Sequence, residues 1–69
     1  MNVYPYFIET KNTKLIELLS TVGFKGYPVK GTDYTSFDRS EKFNKVLVLL
    51  LQIMNYELWN QIKAINYQL

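Results

Sequence analysis

The sequence contains no cysteine and no histidine. The first absence removes disulfides and thiolate zinc sites, two common supports of very short chains. The second removes the commonest metal ligand and the usual general base near neutral pH. The acids are Glu9, Glu17, Asp33, Asp38, Glu41 and Glu57, and none forms a recognisable catalytic pair. No glycine-rich loop is present to cradle a phosphate. An enzyme is therefore not expected, nor a bound cofactor or metal.

Charge is scarce as well. Eight Lys and Arg stand against six Asp and Glu, a net charge of +2. That gives no strong electrostatic case for nucleic acid or an acidic membrane. Long apolar runs are missing too. Val46–Met54 is about half the length needed to span a bilayer, and Gln52, Asn55, Glu57 and Asn60 interrupt any extension of it. The start, MNVYPYFIET, lacks a basic leader and a cleavable apolar stretch, so a cytoplasmic location is expected. Alanine is nearly absent, with Ala64 alone, while Lys, Asn, Tyr and Ile abound. Such usage points to an AT-rich genome, as in a low-GC bacterium or one of its phages.

What is present is apolar and aromatic. In a chain of 69 residues, 48% are hydrophobic and 16% aromatic. Residues 1–69 make one small domain at most. Such a chain buries a modest share of its surface on folding. Without disulfides or metals, self-association or a bound partner is the remaining support.

Asn2–Ile8 is rich in aromatic and β-branched residues and reads as an N-terminal strand. Pro5 cannot donate to a ladder, so the strand lies at an edge or begins after it. Leu15, Ile16, Leu18, Leu19 and Val22 recur at helical spacing and predict a short helix over Thr13–Val22. Thr10, Asn12 and Thr13 are the candidate caps, and Gly23 suits the left-handed position past its end. Residues 24–37 hold two of the three glycines and one of the two prolines, and form either a hairpin turning at Lys30–Asp33 or an irregular loop. Asp38 is read as the N-cap of a long C-terminal helix, with Glu41 as its capping-box partner. No Gly or Pro interrupts the chain from Arg39 to Tyr67, so this helix has room for about 29 residues unless it breaks near Asn55 or Asn60. The expected fold class is α+β: an N-terminal strand, a short helix, a loop or hairpin, and a long C-terminal helix. A mostly α chain is the alternative.

Three patterns touch on function. Asp33 and Asp38 stand five residues apart around Tyr34–Phe37, a spacing that resembles motif A of viral RNA polymerases. The rest of that site is missing, so the two read as a turn residue and a helix cap. Leu15, Leu19, Gly23 and Val29 match the spacing of a helix-turn-helix core, but Gly26 and Pro28 would fall inside the recognition helix, where Pro is costly. Seven of the eight basic residues lie within residues 11–45, with Tyr27 and Tyr34 among them, an arrangement that suits base stacking or a solvated face.

The stretch Lys45–Met54, KVLVLLLQIM, carries the main expectation. At 100° per residue, Phe43, Leu47, Leu50, Leu51, Met54, Leu58, Ile62, Ile65 and Leu69 form one stripe. Val46, Leu49, Ile53, Tyr56 and Tyr67 form a second, adjoining face, and Val48 lies apart from both. One short helix cannot cover both faces. Either the middle segment folds over the second face or another chain does. Trp59, the single tryptophan, falls among polar positions away from the main stripe, where a large aromatic can act as a binding anchor. Partner-binding residues are therefore expected at Trp59, Tyr56, Val46, Leu49, Ile53 and Tyr67. The function expected is a small protein-interaction module that pairs as a homodimer, binds a protein partner, or does both, and occludes or bridges that partner as accessory and inhibitory proteins of phages and mobile elements do. A small dimeric nucleic-acid-binding regulator is the alternative.

Overall fold

A computed structural model describes the backbone of residues 1–65 and the side-chain surroundings of residues 1–55. The order is β1 (Asn2–Val3), β2 (Phe7–Thr10), α1 (Thr13–Val22), β3 (Tyr27–Pro28), β4 (Thr35–Asp38) and α2 (Glu41–Ile65). The four strands form one antiparallel sheet, ordered β1-β2-β4-β3, so the fold is α+β. In chain order a hairpin followed by a helix occurs twice. The second strand of each hairpin lies at the centre of the sheet, and β2 pairs with β4 from Phe7↔Asp38 to Thr10↔Thr35.

The N-terminal aromatic segment is a hairpin rather than one strand. The Tyr4 N–H donates to the Phe7 carbonyl at 2.9 Å, leaving Pro5 and Tyr6 at the apex. Pro5 has no amide to contribute and sits where none is needed. In α1, Asn12 is the cap: its Oδ1 accepts from the Leu15 N–H at 3.1 Å. The Thr10 hydroxyl, 2% exposed, accepts from the Asn12 N–H, which satisfies the one buried polar side chain of the described core. At the other end Gly23 takes φ 112°. Its N–H reaches the Ser20 carbonyl and the Phe24 N–H reaches the Leu19 carbonyl, both at 3.0 Å, which completes a Schellman ending.

The middle segment is a hairpin. Val29 N–H donates to the Tyr34 carbonyl, and the turn across Lys30–Asp33 uses Gly31 at φ 77°. No second helix follows α1 here, so the spacing of a helix-turn-helix has no counterpart. Asp38 is corrected from helix cap to strand residue. It pairs with Phe7 at the end of β4, and the α2 cap is Ser40, whose Oγ accepts from the Phe43 N–H at 3.0 Å. The pull of the ladder explains the shift: the Arg39 N–H still donates to the Tyr6 carbonyl, so the chain is free to turn only at Ser40. α2 then runs unbroken to Ile65, through both Asn55 and Asn60, and the expected extension to Tyr67 lies outside the described residues.

Both helices lie on the face of the sheet that presents Ile8 and Phe37. The core is Ile8, Leu15, Leu19, Phe37, Phe43 and Leu47, with Ile16, Phe24, Val46, Leu50, Leu51 and Met54 packed around it. Phe43 is its hinge point, meeting Phe24 edge-on at 5.1 Å and lying near-parallel to Phe37 at 6.0 Å between centroids.

Candidate functional site

The site builds up from the packing of α2. The stripe predicted for this helix meets the core at Phe43, Leu47, Leu50, Leu51 and Met54. Val46, placed by its angle on the second face, lies at the border and is half-buried against the core. What remains open on the far side is an aliphatic group: Val48 at 54% exposure, Leu49 at 57% and Ile53 at 54%. Val48 and Leu49 line one depression, and Ile53 lies outside its lining. The middle segment does not fold over these residues; it is spent on β3 and β4.

An open depression runs between Asn44, Lys45, Val48, Leu49 and Gln52. Its floor is aliphatic and its margins are amides and one ammonium. Lys45 Nζ lies 3.5 Å from Glu41 Oε1 one turn earlier, and both side chains are largely in water. Such a pair leaves little free charge beside the depression and contributes little stability. The lining offers another surface apolar area from Val48 and Leu49, bordered by two amides and an amine.

Leu49 and Ile53 are thus brought together as expected, and Val46 is drawn partly inward. Tyr56 and Trp59 belong to α2, but their side chains lie outside the described residues, and Tyr67 lies outside them altogether. Asp33 sits in the β3–β4 turn and Asp38 at the far end of β4, so the strand separates the two acids of the polymerase-like spacing. Among the described residues no group of three or more metal-ligating side chains is gathered. Among them also, no helix is long and apolar enough to cross a membrane.

Sequence reasoning missed Arg39. Its Nε donates to Asn44 Oδ1 at 3.0 Å and its Nη1 to the Tyr4 carbonyl at 2.7 Å. One guanidinium therefore ties the first hairpin to the first turn of α2 and fixes the helix against the sheet. Nothing in the local sequence signals this, because the partners lie 35 and 5 residues away.

Comparison with family models, with curated proteins and with solved structures gives no match in any of the three.

Proposed function

We propose that this chain is a small protein-interaction module whose working surface is the outer face of α2, and that the surface first pairs with the same face of a second copy. The observation that carries the reading is the trio Val48, Leu49 and Ile53, each more than half exposed on one helix. Large aliphatics exposed along the outer side of a helix favour association, since covering them removes apolar area from water at roughly 25 cal/mol per Å². A second copy suits the face because a two-fold contact needs only one self-complementary patch. Lys45 is already neutralised within its own helix, so two such faces meet without a strong clash of charge. In this reading Tyr56 and Trp59, which follow in α2, extend the contact, and the paired module occludes or bridges a further protein.

Sedimentation equilibrium from about 1 to 100 μM tests it. A mass that rises above 8.2 kDa towards twice that value is expected. Leu49→Lys should return the protein to a monomer with an unchanged circular dichroism spectrum. A monomeric parent across the whole range overturns the self-pairing.

A further inference from the structure

Among the described residues, the helices cover one face of the sheet and leave the other open. Side chains alternate along a strand, so the register assigns each residue to a face. Ile8, Thr10 and Phe37 are buried on the helix side. Their neighbours therefore point the other way: Phe7 and Glu9 on β2, Ser36 and Asp38 on β4, and Tyr27 opposite Ser36 on β3. Tyr34 extends the same row, since its carbonyl still accepts from Val29 in the ladder. Tyr4 joins at the first hairpin, stacked on Phe7 with centroids 4.6 Å apart. Four aromatic rings thus share the uncovered face.

Two of these rings carry cations. Lys11 Nζ lies 5.4 Å from the centroid of Tyr34, and Lys25 Nζ lies 5.3 Å from that of Tyr27. Tyr27 is exposed and Tyr34 half-buried; a base that stacks on such a ring takes the place of the lysine, and the released ammonium is then free to meet the phosphate. We propose that this face binds single-stranded nucleic acid, with bases stacking on Tyr27 and Tyr34 and phosphates meeting Lys25 and Lys11. The acids of the face, Glu9 and Asp38, bias the strand towards the β3 edge and the turn that carries Lys30. Glu9 is in addition engaged by the Asn2 side-chain amide at 3.3 Å. A duplex does not fit this chemistry, because its bases present edges and no free ring faces.

The test is fluorescence anisotropy with labelled 15-mer oligo(dT) and oligo(U), and a 15-base-pair duplex as comparison, at about 20–200 mM salt. Binding to both single strands, stronger than to the duplex, is expected. For two phosphate contacts, log K should fall against log salt with a slope of about −1.4. Tyr27→Leu and Tyr34→Leu should each weaken binding about five-fold or more, while Tyr6→Leu, at the hairpin apex, should leave it unchanged. Lys11→Gln with Lys25→Gln, exposed changes that spare the core, should flatten the salt slope. No binding at the lowest salt overturns the proposal. So does a preference for duplex, or binding that both tyrosine variants retain while folded. The Leu49→Lys monomer should still bind, chain for chain, so failure here and failure of the α2 pairing are read separately.

Discussion

At the scale of single residues, two small side chains decide more than their size suggests. Ser40 is the point at which the chain leaves the sheet and starts α2. Ser40→Ala removes the acceptor for the Phe43 N–H and should cost about 1 kcal/mol in urea unfolding. Asp38→Ala, a change at an exposed strand position, should cost clearly less, and the reverse order would restore Asp38 as the cap. Gly26 is the second. A Cβ there would lie 2.6 Å from Thr35 Cγ2 and 2.9 Å from the Phe37 ring. Phe37 is fully buried and cannot swing away freely. Gly26→Ala should therefore destabilise by about 1–3 kcal/mol through overpacking, and an unchanged melting temperature would show that the β3 edge simply lifts.

At the scale of elements, the two ends of α1 differ in how much of their geometry is local. Asn12 and Gly23 cap the helix within its own segment, and no distant residue is needed to place either. Gly23 is free of steric neighbours, so its role is conformational alone. Gly23→Ala should cost about 1 kcal/mol, because only the left-handed backbone is at stake. The joint between the first hairpin and α2 is the opposite case. Arg39→Lys keeps the charge yet loses the planar fork that bonds Tyr4 and Asn44 together. Hydrogen exchange should then quicken at Tyr4, whose N–H closes the first hairpin, more than at the amides of α1. Uniform change across the sheet would mean that Arg39 acts through global stability only.

At the scale of the whole molecule, the described residues form one buried layer between the helices and the sheet and leave two surfaces uncovered. The outer face of α2 is aliphatic, and the open face of the sheet is aromatic and cationic. If α2 pairs with a second copy, stability becomes concentration-dependent. The melting temperature should rise by several degrees between about 2 and 200 μM for the parent, and stay flat for Leu49→Lys. A flat parent curve would place the chain among self-sufficient monomers.

The sequence by itself determined the span of α1 and narrowed its cap to three residues, because its stripe, cap and stop are all written within the twelve positions from Asn12 to Gly23. It also pointed to the α+β class and to the core stripe of α2 as far as Met54, and offered the turn at Lys30–Asp33 as one of two alternatives, between which the structure decides for the hairpin. These are local matters of periodicity and backbone conformation. Only the tertiary structure decided where α2 begins, since the pull of β2 on β4 outweighs the better charge of an aspartate cap. Only it could fold Asn2–Ile8 at Pro5, and only it could set Val46 inward while Val48 stays in water. The four rings of the open face come from two hairpins, Tyr4 and Phe7 from the first and Tyr27 and Tyr34 from the second. Alternation assigns each a side, but strand pairing at separations of up to 31 residues brings them together, and such pairing leaves no local trace.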